Sequence, residues 1–136
     1  MPSTLPIAKP PVTPESQWFW EGIQRGEFLL NRCAECDTVV WYPRRMCNNC
    51  GSTNLNEFKA SGRGTIYTYT INYRGEGSYR ESAPYVLAYV ELEEGPRVLT
   101  NVVESDLADV VVGAAVEVVY ERSEENDSVL YRFKLT

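Results

Sequence analysis

The sequence predicts a mainly β protein: an N-terminal helix, then a four-cysteine ribbon, then a small closed barrel of five strands. Three observations predict it. All four cysteines fall between Cys33 and Cys50, as two C-x-x-C pairs with ten residues between them. After them comes a series of short segments rich in β-branched and aromatic residues, punctuated by glycine and proline. Before them, Thr13-Pro14-Glu15 opens an aromatic stretch that closes at Gly26.

The organisation follows in chain order. Residues 1–13 hold four of the eight prolines and few large apolar groups, so they read as a flexible Pro-rich leader or linker. Residues 14–58 hold the helix and the ribbon, and residues 59–136 the barrel. Thr13 as N-cap, Pro14 at the first helical position and Glu15 in the first turn predict a helix from 14 to about Arg25, with Gly26 as its stop. Phe19 and Ile23 share one face of it at i, i+4, while Trp18 and Trp20 point elsewhere. The aromatics are read as packing on the ribbon or barrel; docking of a partner protein is the sharper alternative. Phe28-Leu29-Leu30 is a short strand into the first cysteine pair, and Val39 to Tyr42 is another between the pairs.

Candidate strands then run over roughly 55–60, 64–73, 85–93, 97–103, 115–121 and 129–134. Glu94-Gly95-Pro96 is a hairpin turn, and Gly62–Gly64 is a bend. Many short strands after such a bend predict a small closed barrel, of which the OB-fold is the common five-stranded kind. Residues 74–84 form the longest irregular stretch after the leader, a loop of the sort that often carries binding function.

Composition excludes several classes. The chain has 136 residues and no apolar run of membrane-spanning length. Its start lacks a basic segment followed by an apolar one, so the expected location is cytoplasmic. Thirteen basic and nineteen acidic residues give a net charge of −6, which opposes nucleic-acid binding. Ten of the thirteen cations are arginine, a residue suited to phosphate and carboxylate. There is no histidine, so neither a Ser-His-Asp nor a Cys-His site can be built from this chain alone.

Each C-x-x-C turn presents two sulfurs to one point, and two such turns complete a tetrahedron of thiolates. Asp37 after Cys36 and Gly51 after Cys50 both tolerate the tight turn of a zinc knuckle. Structural Zn²⁺ on Cys33, Cys36, Cys47 and Cys50 is therefore the favoured reading. Disulfides, a thioredoxin-like redox pair and an iron centre are the alternatives. With four protein ligands the metal stabilises a fold and activates no water.

From residue 14 onward the chain resembles one family. The carriers are WFWEGIQRGEFLL, the ribbon segment WYPRRMCNNCGS, the lead-in SGRGTIYTYT, the stretch PYVLAYVELEEGPRVLTNVV, and the ending VGAAVEVVYE…YRFKL. Together they resemble the zinc-ribbon plus OB-fold acyl-CoA-associated proteins known as domain of unknown function 35. The resemblance implies rubredoxin-like knuckles with the four cysteines as zinc ligands. It implies a required non-catalytic subunit of a thiolase-like enzyme, such as a thiolase or a steroid side-chain aldolase, in a hetero-oligomer that shares an acyl-CoA substrate. It also implies a place behind a hydratase domain, which the Pro-rich leader suits. One departure is Trp41-Tyr42, where the family often has Phe-Pro. The resemblance transfers no catalytic residue, and none is assigned. Arg44, Arg63, Arg74 and Tyr79 are the candidates for contact with CoA phosphate or partner.

Two other functions compete with this one. A nucleic-acid module would stack bases on Tyr67, Tyr69 and Tyr73, and the acidic balance opposes it. A free-standing enzyme lacks histidine and an open metal position; the adjacent acids Glu93 and Glu94 read as a solvated hairpin tip rather than an acid–base pair.

Overall fold

A computed structural model describes residues 5–136. Helix α1 spans Gln17–Gln24. Three short strands follow: β1 Leu29–Cys33, β2 Val39–Val40 and β3 Leu55–Lys59. They form an antiparallel sheet in the order β2-β1-β3. Five further strands are β4 Arg63–Asn72, β5 Tyr85–Leu92, β6 Arg97–Val102, β7 Ala115–Arg122 and β8 Val129–Leu135. They close into a barrel in the order β4-β5-β6-β8-β7, with β4 also pairing β7. Closure removes the free sheet edges that an open meander would expose.

The helix begins later than expected. Thr13 and Ser16 close a turn, with Ser16 N–H donating to Thr13 C=O at 3.1 Å and Thr13 N–H donating to the Ser16 hydroxyl at 3.0 Å. This leaves Ser16, not Thr13, as the cap. The end is as expected. Gly26 takes φ +77°, its N–H reaches Ile23 C=O at 3.0 Å, and Glu27 N–H reaches Gly22 C=O at 2.8 Å. That pair of bonds satisfies carbonyls which the helix end leaves open.

One apolar core joins the helix, ribbon and barrel. Phe19 and Ile23 from α1, Phe28 and Leu30 beside them, and Ile66, Val90, Val98, Val116 and Phe133 from the barrel are all essentially buried in a single cluster. Phe19 is its hinge point, with ring contacts to Phe28, Trp41 and Tyr131 at 5.4–5.9 Å. Trp20 stacks on Tyr131 at 6.1 Å, so the aromatic stretch packs inward, as the plainer reading held. Burial pushes the Tyr131 phenol well above its usual range, and burial together with Glu27 pushes Tyr120 up to about 12.

The segment read as a leader lies partly outside the described residues. From Leu5 to Thr13 it has no regular structure, yet it is tied to the barrel. Leu5 is buried, Arg132 donates to Pro6 C=O at 2.6 Å, and Asn126 donates to Ile7 C=O at 3.2 Å. Arg132 is itself buried and pairs with Glu121 at 2.7 Å, so the strap completes the bonding of a buried guanidinium.

Gly64 in β4 pairs with Leu92 in β5, against the backbone of Glu91. A Cβ there would lie 2.4 Å from Glu91 C=O and 2.9 Å from a Val90 methyl. The carbonyl cannot retreat without disturbing the Gly64–Leu92 pairing. Gly64→Ala is expected to lower stability by about 1–3 kcal/mol, as overpacking usually does. A urea midpoint equal to that of the wild type would contradict this.

Candidate metal centre and its surroundings

The two cysteine turns are local copies of one another. Cys33 N–H donates to Thr38 C=O at 2.8 Å, and Asp37 N–H donates back to Cys33 C=O at 2.9 Å. In the second turn, Cys47 N–H donates to Ser52 C=O at 2.8 Å, and Gly51 N–H to Cys47 C=O at 3.0 Å. Asp37 and Gly51 hold φ of +64° and +78°, the left-handed conformation that short polar residues and glycine accept. The geometry expected of the residue types at 37 and 51 is therefore present.

All four sulfurs lie within 4.8 Å of one another. Cys33 and Cys50 are 3.5 Å apart, and Cys36 and Cys47 are 3.6 Å apart. These distances are far beyond a disulfide bond, and all four thiols are free. They approach the ~3.8 Å edge of a tetrahedron with Zn–S bonds of about 2.3 Å. Cys33 and Cys47 are buried beside Val40, while Cys50 faces solvent. The donor set fits a structural zinc ion.

The sulfurs do not ionise alike. The Thr38 hydroxyl, then the Asn49 amide, stabilise the Cys36 thiolate and bring its pKa down to about 6. At Cys50 the Ser52 N–H also favours the thiolate, but the sulfurs of Cys33, Cys36 and Cys47 outweigh it and push Cys50 up to about 12. Four thiolates this close cannot coexist without a bound cation. Zinc uptake near neutral pH is therefore expected to release protons, and affinity is expected to fall as pH falls, because protons compete for the same sulfurs. Zinc release titrated with a metallochromic dye checks this; affinity that is flat between pH 8 and pH 5 would contradict it.

The other candidates do not gather at the metal. Arg44 is exposed next to the second turn, where its guanidinium donates to Tyr42 C=O at 3.0 Å and Trp41 C=O at 3.3 Å. Arg63 starts β4 and pairs with Glu93 at 3.3 Å. Arg74 is exposed in the loop after β4, and Tyr79 lies in a 3-10 turn at Gly77–Ser82, tilted against Tyr85 at 5.5 Å. Glu94 is not a solvated tip. Its carboxylate accepts from Ser61 N–H at 2.8 Å, where the ribbon passes into the barrel. Ser61 and Glu94 are 33 residues apart, so their contact carries no signal a local sequence pattern would show.

A closed four-thiolate ribbon running into a five-stranded OB-fold barrel defines a zinc-ribbon/OB-fold protein. Two family models match it: the rubredoxin-like zinc ribbon domain of ChsH2 over residues 20–56, and the C-terminal OB-fold domain of ChsH2 over residues 58–121. A DUF35 domain-containing scaffold protein of Methanocaldococcus jannaschii is 37% identical over 122 residues, which cover 85% of this chain and 86% of that protein. The 3-oxo-4,17-pregnadiene-20-carboxyl-CoA hydratase alpha subunit of Mycobacterium tuberculosis is 28% identical over 132 residues, 88% of this chain and 40% of that protein. The benzoylsuccinyl-CoA thiolase subunit BbsA of Geobacter metallireducens is 33% identical over 70 residues, 52% of this chain and 46% of that one. Among solved structures, the Ltp2-ChsH2(DUF35) aldolase superposes with a TM-score of 0.82 at 28% identity, covering 93% of this chain and 98% of that one. The chain belongs to the DUF35 family, and its metal centre is that of a rubredoxin-like zinc ribbon. No helix among the described residues is long and apolar enough to cross a membrane.

Proposed function

We propose that this chain is a non-catalytic scaffold subunit of a thiolase-like acyl-CoA enzyme. The observation that carries the reading is the match along almost the whole chain to the DUF35 component of an aldolase complex. Relatives named as a thiolase subunit and an acyl-CoA hydratase subunit point to the same chemistry. The absence of histidine agrees with a partner that supplies nucleophile and base. The enzyme acts in sterol side-chain or aromatic degradation, as a thiolase or retro-aldolase. Residues 1–13 suit a join to a preceding hydratase domain, with 14–58 as the metal unit and 59–136 as the barrel unit. A cytoplasmic location goes with four reduced thiols.

Within this reading Arg44 and Arg74 are the better candidates for CoA phosphate or partner contact. Both are exposed, and neither pairs with a carboxylate among the described residues. Arg63 is already engaged by Glu93, and Tyr79 by Tyr85. A nucleic-acid module is the alternative. Residues 59–136 hold eight cations against thirteen acids, so the barrel unit carries −5 of the net −6 and repels phosphate.

The test is an acyl-CoA assay on three samples: the thiolase-like enzyme, this chain, and the two together. Turnover that needs both, with none from the chain alone, is expected. Turnover by the isolated chain would overturn the non-catalytic reading, and an enzyme indifferent to the chain would overturn the scaffold reading.

A further inference from the structure

We propose that the outer face of β4, β5 and β6 is the seat of the enzyme partner, centred on Tyr89 and Leu99 and extended by Tyr67 and Val111–Val112. This rests on the scaffold reading above and adds where the contact is made. Nine large apolar side chains are well exposed among the described residues, and five of them are these. Tyr67, Tyr89 and Leu99 lie on the adjoining strands β4, β5 and β6. Tyr89 pairs directly with Leu99 across β5 and β6, and with Thr68 in β4, where a register shift between Ile66 and Thr68 leaves both Tyr67 and Thr68 exposed. Gly113 N–H donates to Ile66 C=O at 2.8 Å, which lays Val111–Val112 along the far side of β4. Each of the five is between 45% and 65% exposed. Singly such residues need no explanation; grouped, they mark an interaction surface.

Charge decides the occupant. A hollow of about 210 Å³ on this face is lined by Thr68, Thr70, Leu87, Tyr89 and Leu99 with their neighbours, none of them charged. The cation at its border is already satisfied. Arg97 pairs with Glu91 at 2.9 Å and lies over the Tyr67 ring at 3.8 Å. An apolar, aromatic centre with a paired ionic rim is the composition of a protein–protein interface core. Nucleic acid finds no free cation there. A second copy of this chain brings the same net charge of −6, so like charge opposes self-association. The face fits a different protein, one that places uncharged apolar side chains in the hollow.

The experiment measures the affinity of the purified full-length chain for the thiolase-like enzyme of the same organism by biolayer interferometry. Variants are Leu99→Asp and Tyr89→Asp on the face, Leu99→Met as the conservative change, and Val12→Asp at an exposed apolar site away from it. Because the altered side chains are half exposed, zinc content and melting temperature are expected to stay at wild-type values, and both are measured. Leu99→Asp and Tyr89→Asp are expected to weaken binding at least about tenfold, with Leu99→Met and Val12→Asp close to wild type. Folded face variants that bind the enzyme as well as the wild type would overturn the placement and leave the scaffold reading intact. A wild-type chain that does not bind the enzyme would overturn both. Loss on Leu99→Asp of binding to a single-stranded oligonucleotide, or of self-association, would replace the enzyme with that occupant.

Discussion

Replacing Cys33 with serine is expected to abolish stoichiometric zinc binding and to unfold the cysteine turns between residues 33 and 52. Cys33 is 1% exposed, ends β1, and packs with Val40 and Cys47 in a cluster that has little else to hold it. The ribbon sheet consists of two five-residue strands and one of two residues, too little apolar surface to stand alone. Metal binding contributes about 10–16 kcal/mol in comparable zinc peptides, as much as the whole stability of an ordinary domain. Serine keeps the shape but offers no soft thiolate. Atomic absorption should read close to no metal against about one ion per wild-type chain, the latter being what a single four-thiolate site holds. Amide resonances of the ribbon should collapse toward random-coil positions. A variant that retained full zinc and an ordered ribbon would exclude Cys33 as a ligand.

Phe19→Ala is expected to be the most damaging change outside the metal centre. Its ring is fully buried and touches α1, the ribbon and β8 through Trp20, Phe28, Trp41 and Tyr131. Truncating a buried Phe costs about 3–5 kcal/mol, and this one lies where three elements meet, so the cavity cannot collapse by moving any one of them. The expected result is a fall of that size in unfolding free energy, with the zinc content kept. Circular dichroism with urea measures it. A cost below about 1 kcal/mol would mean that the helix does not anchor the barrel.

The two predictions show which parts of the fold were legible from the sequence. The cysteine turns depend on residues within six positions of each other, so Cys33, Cys36, Cys47 and Cys50 and the left-handed positions at 37 and 51 could be read directly. The barrel strands also follow local rules. Expected spans such as 85–93, 115–121 and 129–134 meet β5, β7 and β8 to within a residue, because alternation and glycine turns bound them. What failed to show is tertiary. β2 stops at Val40 because Trp41 turns into the aromatic cluster around Phe19. The helix start moved because the Ser16 hydroxyl bonded back to Thr13. The strap at 5–7 is held by Arg132, more than a hundred residues away. The parallel contact of β6 with β8 at Val102–Phe133 also has no local pattern. Functional contacts suffer the same limit. Arg44, Arg63 and Arg74 look alike in sequence, and only tertiary and turn contacts separate them: Arg63 pairs with Glu93, and Arg44 donates to the Tyr42 and Trp41 carbonyls.

On the proposed reading, this zinc ribbon and barrel serve a thiolase-like enzyme. Affinity capture of the tagged chain from its native lysate, with every retained protein identified and quantified, tests it most directly. The expected result is a thiolase-superfamily enzyme retained at a fixed stoichiometry that survives a salt wash. Recovery of nucleic acid alone, or of the chain with no such enzyme, would contradict it.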